Sequence, residues 1–406
     1  MIAAMATCAA AATEAAAQTP PPASPVVIDQ LDERDIFAPN VLNVSNVVGQ
    51  VVANTSAQGN TASGTVENDS IAVRSDQRKT GSARATTTLN LGGDIGGPVS
   101  ATTQAGGNYL AAGAYDADLD IEATQSNTGS EVVANTTVGP NTARLLGGAS
   151  VGSSAVSNTV AIGGEAARVT GSIDQTSDAT VRAGVLAETQ YIPAQAVFST
   201  QAIANTIAVS TDAASSQNLS LRQRSSGDLV EADTSANAGN AWDLAGRARA
   251  TGNQAILYNS GGSVVNASDQ ANSAAIRANA LTTAYDYGRA EASARAAGNE
   301  LSVGNNDIYV EIDSTQFNSG GVDATATFSG TNGYDVYVGV EAVGNAVTGF
   351  ACSECQGRLN ANSTQVNDGD VTATANTAVA GSGRSVISGA SAIGNSASFY
   401  VSRPSH

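Results

Sequence analysis

A single histidine, His406, stands at the far end of 406 residues, so Ser-His-Asp and Cys-His arrangements have no base within the body of the chain. Lysine is as scarce. Lys79 is the only one, and Gly-rich runs such as residues 91–97 (LGGDIGG) lack the Lys-Ser/Thr pair that a phosphate-binding loop requires. Aromatic residues make up 4% of the chain, and Leu, Ile and Phe are sparse, so the side chains that fill a large globular core are missing. No stretch reaches the length of a membrane-spanning helix. Basic residues are outnumbered 18 to 36, a formal charge of −18. Such a surface repels phosphate backbones and argues against nucleic acid as a partner.

What is present is regularity. Asparagines recur at Asn60, Asn108, Asn158, Asn205, Asn253, Asn299, Asn345 and Asn395, with successive steps of 48, 50, 47, 48, 46, 46 and 50. A glutamine follows each of the first seven: Gln77, Gln125, Gln175, Gln223, Gln270, Gln316 and Gln365. The Asn-to-Gln offsets are 17, 17, 17, 18, 17, 17 and 20. Four positions beyond each glutamine stands Gly or Ala: Gly81, Gly129, Ala179, Gly227, Ala274, Gly320 and Gly369. A fixed period of this size with drift between copies marks a stacked-repeat solenoid. Intrinsic disorder, the rival for so polar a composition, has no reason to keep apolar runs locked to the repeat.

Within one repeat the runs at 307–313, 322–328 and 335–342 alternate with period two, as strands with one buried and one wet face do. Turns rich in Gly and Asn separate them. The expected fold is an all-β, repetitive β-solenoid, parallel β-helix or curlin-like, with a sequence repeat of about 47 residues. The step from Asn299 to Gly320 is 21 and that from Gly320 to Asn345 is 25. Each repeat therefore reads as two coils of about 23 residues. One larger three- or four-sided coil per repeat is the alternative. Two coils per repeat would give about 16 coils over residues 28–401 and a rod on the order of 75 Å long. The Asn and Gln then become corner residues whose amides bond backbone or one another along the rod.

The ends read differently. Residues 1–17 are small and apolar, with an Ala-x-Ala pattern before Gln18, which suggests a signal peptide; the missing basic residues and Glu14 suggest that its true start lies upstream. Residues 18–27 form a Pro-rich linker, residues 28–401 the solenoid with seven full repeats from about 60, and residues 402–406 a C-terminal tail. Cys352 and Cys355 coincide with the lengthened offset at Gln365 and read as a local disulfide in an oxidising compartment.

Chemistry is harder to place. Asp116, Asp118, Asp120 and Glu122 alternate on one strand, as do Asp307, Glu311 and Asp313. Clusters of this kind serve β-helix polysaccharide lyases and hydrolases, the enzymatic alternative, but alternation is also what a solvated strand face produces. The Gly-Gly-x-Gly-x-Asp calcium repeat is absent. Trp242 and the ten tyrosines are scattered and define no carbohydrate platform. No catalytic, cofactor-binding or metal residue is therefore assigned.

The half-repeat with its Gly-Asn and Gln-x-Asn-x-Gly punctuation is similar to the repeats of curlin, the subunit of curli fibres. Over most of the chain, the series AQGN, AGGN, AVSN, AIAN, ATGN, AAGN, AVGN and AIGN, joined to QxNxG and a Pro-rich start, resembles the HfaD family of holdfast anchor proteins of stalked alphaproteobacteria. The resemblance implies a secreted, outer-membrane-associated protein that attaches adhesive holdfast polysaccharide at the cell pole or stalk tip. It also implies two partners, a small curlin-like anchor protein and a secretin-like lipoprotein. Exposed strand edges at the two ends of the rod add self-association as an expectation. The family brings no catalytic residues to carry over.

Overall fold

The computed structural model describes residues 24–128, 131–307, 309–352 and 358–402. The stretch read as a signal peptide, Gly129, Cys355 and the last four residues lie outside these. The first strand opens at Ser24, inside the segment read as a linker. Among the described residues there is no helix, and the strands pair in parallel throughout.

One face of the molecule is an eight-stranded sheet running from Ser24–Asp32 through Ser70–Lys79, Asp118–Asn127, Arg168–Ser177, Ser216–Ser225, Ser263–Asn272 and Tyr309–Asn318 to Arg358–Asn367. Each strand pairs with the one a full repeat away. Gln77 sits beside Gln125, Gln125 beside Gln175, and so on to Gln316 beside Gln365. The asparagines do the same, from Asn60 beside Asn108 to Asn345 beside Asn395. The expectation of two coils per repeat is thereby corrected: one coil takes the whole repeat. Eight rungs at about 4.8 Å each put first and last strands about 34 Å apart, half the length expected from sequence.

The coil is flat and has two lobes. In the second coil, Val99–Tyr115 lies on one side, while Asp118–Asn127 and Glu131–Gly139 follow each other on the opposite side. Two separate apolar cores result. One holds residues such as Val99, Ala101, Val132 and Val138, and the other Leu110, Ala114, Leu119 and Ile121. Both are built mostly from Ala, Val, Leu and Ile, with Phe198, Phe328 and Tyr287 added in the first, which suits facing sheets about 10 Å apart.

A waist divides the lobes. Along Val99–Tyr115 the odd residues point inward as far as Ala105, and from Asn108 onward the even ones do. Gly107 falls between, off the ladder that pairs its neighbours. The equivalent positions, Gly59, Ser157, Ala204, Gly252, Gly298, Gly344 and Gly394, are all small. The reason is steric. A Cβ on Gly298 would meet Oδ1 of Asn318 at 2.5 Å and the carbonyl of Gly344 at 2.5 Å. Where the small residue is Ser157 or Ala204, the residue across the waist shrinks from Asn to Ser177 or Ser225, and Ser177 Oγ bonds Ser157 Oγ at 2.8 Å. The Gly-Asn punctuation is thus a packing rule for the narrowest part of the coil.

In later coils the strands on either side of one lobe fuse into a single element, such as Thr180–Asp212 and Leu229–Asn259, that wraps the lobe end. Pro193 interrupts the first of these, and the pairing slips between Ile192 and Gln195, because proline has no N–H for the ladder.

Candidate functional site

The repeat asparagines from Asn60 to Asn345 and the glutamines from Gln77 to Gln316 are buried at the waist and are not at turns, while Gln365 is half-buried and Asn395 exposed at the last rung. Each Asn from Asn60 to Asn345 donates one N–H to Oδ1 of the next Asn, at 2.8 Å in every case. Its second N–H crosses the coil to the carbonyl of the residue after the glutamine, as Asn253 does to Ala271 at 2.8 Å. Glutamines run the opposite way. Gln77 donates to Oε1 of Gln30 at 2.7 Å, and each later Gln donates to the one before it at 2.7–2.8 Å. The second Gln N–H returns across the waist to the carbonyl after the next asparagine, as from Gln223 to Gln254 at 3.0 Å. A carbonyl can only accept, so these crossings fix which way each amide faces. The Asn bond closes one lobe and the Gln bond the other, and both N–H groups of each ladder amide in an interior coil have a partner. Lys79, wholly buried, takes the place that Asn127 holds in the following coil. Its Nζ lies 2.8 Å from the Arg34 carbonyl and 3.0 Å from Asp32 Oδ2. The ladders commit these buried amides to one another, and the groove and pocket described next lie on the outer faces.

Two outer features stand out. A groove of about 840 Å³ runs along the rod across seven coils, from Thr102 to Ser391. Its floor is Ser, Thr, Gly and Ala, and its centre carries Arg247, Arg249 and Arg295. Each arginine is paired. Arg247 makes a two-pronged bridge to Glu291 at 2.8 and 3.0 Å, Arg249 reaches Glu300 at 2.9 Å, and Arg295 contacts both Glu300 and Glu341. Burial pushes the Glu300 carboxyl up, but bonds from Arg295 and Arg249 outweigh it and hold it below the usual glutamate range. The groove therefore presents hydroxyls and neutralised charge instead of a bare cationic strip.

At the end of one lobe lies a smaller pocket of about 440 Å³ lined by Tyr191, Trp242, Tyr287 and Tyr334 together with Asn240, Asp286 and Asn332. Trp242 and Tyr334 are 61% and 51% exposed. Their ring centres are 6.1 Å apart at 75°, edge to face as aromatic quadrupoles prefer. Gly288 lies between them. A Cβ there would strike the Trp242 carbonyl at 2.5 Å and its ring at 2.8 Å, so the glycine keeps the column open. Arg384 lies over Tyr334 and Arg144 over Tyr191, at 5.4 and 5.7 Å from the ring centres. Reading Trp242 and the tyrosines as scattered is corrected by this arrangement. Positions 242, 288 and 334 follow one another at equal steps of one repeat. A coil that takes the whole repeat stacks them, whereas half-repeat coils would not have revealed the column.

The other residues singled out from sequence have plain surroundings. Asp120 and Glu122 pair with Arg74 at 2.6 and 3.1 Å, and Tyr309 donates to Glu311 at 2.8 Å. Among the described residues no group of three or more His, Cys, Asp or Glu could hold a metal ion. Of the pair Cys352 and Cys355, only Cys352 is described.

Fold and surface together define a repetitive parallel β-solenoid whose interior is committed to its own ladders and whose outer faces carry a hydroxyl-lined groove and an aromatic column. The HfaD family, holdfast attachment protein D, matches residues 45–321, and the chain belongs to that family. No curated protein and no solved structure matches it.

Proposed function

We propose that this chain is a non-enzymatic surface protein that anchors adhesive holdfast polysaccharide to the cell envelope, gripping the sugar along the groove and the aromatic column. Membership of a holdfast attachment family supports a place at the cell surface. The observation that carries the sugar contact is the column of Trp242, Gly288 and Tyr334 on one exposed edge. Ring faces pack against the C–H faces of pyranose units, and the amides and carboxylate of Asn240, Asp286 and Asn332 accept or donate to their hydroxyls. Because the groove crosses seven coils, one chain can be held at several weak points, and such contacts multiply. Secretion, association with the outer membrane at the pole or stalk tip, and partnership with a curlin-like subunit and a secretin-like lipoprotein complete the reading.

The test is retention of the purified protein on isolated holdfast polysaccharide. Trp242→Ala with Tyr334→Ala should lower the apparent affinity about tenfold or more, each tenfold being about 1.4 kcal/mol, with melting unchanged. Retention equal to the parent protein would remove the aromatic column from the mechanism. New reducing ends in the polysaccharide would overturn the non-enzymatic reading.

A further inference from the structure

The two amide ladders have direction, and their ends are complementary. At the N-terminal end, Gln30 accepts from Gln77 and gives one N–H to the Thr61 carbonyl at 2.9 Å. Its other N–H has no acceptor, and Oδ1 of Asn60 has no donor, among the described residues. At the C-terminal end the roles are reversed. Asn395 accepts from Asn345 at 2.8 Å. Among the described residues its own N–H groups have no acceptor, and Oε1 of Gln365 has no donor. One end offers a Gln donor and an Asn acceptor, and the other an Asn donor and a Gln acceptor.

We propose that copies of this chain stack end to end in one polarity, the C-terminal rung of one on the N-terminal rung of the next. Extending the internal register by one step sets Asn395 on Asn60 and Gln365 on Gln30, which continues both ladders. The same step places Val371 on Ile36 and Val386 on Val51, prolonging one core, and Val401 on Val66, prolonging the other. Stacking head to head or tail to tail with like side chains facing would set donor against donor and acceptor against acceptor, and any such stack would replace the parallel strand pairing of the internal rungs with an antiparallel one. Neither end has, among the described residues, the polar outer cap that isolated solenoids need. Instead, Ser24–Asp32, Ile36–Val44 and Val51–Glu67 each pair on one side alone, as do Arg358–Asn367, Val371–Val379 and Ser385–Val401. A head-to-tail contact that does not close on itself builds an open filament. Like charges would meet at one place, where Glu33 and Asp35 in one turn face Asp368 and Asp370 in the other. Added salt should therefore promote assembly, since screening weakens exposed repulsion. This inference is independent of sugar binding.

The experiment is sedimentation velocity on the purified full chain over a wide concentration range. Asn395→Asp keeps the acceptor for Asn345 and removes the outward N–H; Gln30→Glu keeps the acceptor for Gln77 and removes the outward N–H at the other end together with the bond to the Thr61 carbonyl. Circular dichroism and melting identify folded variants, and Asn395→Ser serves as a second block at the C-terminal end. The parent protein should grow in size with concentration, and each variant alone should stay monomeric. Mixed, the two should form pairs and nothing larger, because Asn395→Asp retains a free N-terminal end and Gln30→Glu a free C-terminal end. A parent protein that stays monomeric at all concentrations, variants that assemble like the parent, or an Asn395→Asp protein that dimerises with itself would each overturn the proposal.

Discussion

The side-chain amide of Asn253 joins two directions at once, donating to Oδ1 of Asn299 along the rod at 2.8 Å and to the carbonyl of Ala271 across it at 2.8 Å. It also accepts from Asn205 at 2.8 Å. Since the side chain is wholly buried, none of the three partners can turn to water when it is removed.

Asn253→Leu should therefore cost far more than one ordinary hydrogen bond. Orphaning Asn205, Ala271 and Asn299 together amounts to roughly 3–5 kcal/mol, since each unsatisfied buried group costs about 1–3 kcal/mol. Denaturant unfolding measures the loss. A cost under about 1 kcal/mol would mean that the ladder aligns the coils without holding them.

The waist makes a size prediction. Gly298→Ala forces a methyl against Asn318 and the Gly344 carbonyl and should destabilise by about 2–4 kcal/mol, in the upper range of single substitutions. Adding Asn318→Ser recreates the Ala204–Ser225 pairing of an earlier coil and should recover part of that loss, a coupling of about 1 kcal/mol or more in a double-mutant cycle. Gly321→Ala is the control, because a Cβ there meets nothing within 4 Å.

Glu300 gives a pH prediction. Its carboxyl is held below the usual range by Arg295 and Arg249 against the opposing effect of burial. A lowered folded value stabilises at pH above the unfolded value, about 4.3 for glutamate, and the benefit disappears as pH falls through the folded value. Glu300→Gln should cost about 2 kcal/mol at neutral pH, as for a charged hydrogen bond, and progressively less as the solution is acidified below that range. The difference between parent and variant is the quantity to follow. Asp233 works in the opposite sense, its carboxyl being raised by burial and by the nearby Glu231, and the difference cancels it. A gap that is constant from neutral to acidic pH would show that Glu300 acts through packing alone.

Much of the architecture was written in residue spacing. The period between Asn60 and Asn395 required a solenoid, because only equivalent positions in stacked coils give a long chain reason to repeat itself without repeating its exact residues. Alternation in stretches such as 335–342 required strands with one face inward. The scarcity of Leu, Ile and Phe required thin cores.

What the tertiary structure decided was which segments stack. Strand, turn, strand can lie on its own copy, giving two small coils per repeat, or beside its sibling, giving one flat coil that takes the whole repeat, and both choices satisfy the alternation. The amides decide between them. The step from Asn60 to Gln77 is little more than half the step from Gln77 to Asn108, so the two halves cannot stack in register, and only the full coil sets Asn on Asn and Gln on Gln. The spacing alone did not show that these side chains face each other across a waist, with each carbonyl crossing fixing the direction of a ladder. Nor did it show that Trp242 and Tyr334, two repeats apart in the chain, share an exposed edge. Periodicity gives the translation along the rod, and only the closed path of each coil determines which side chains meet across it.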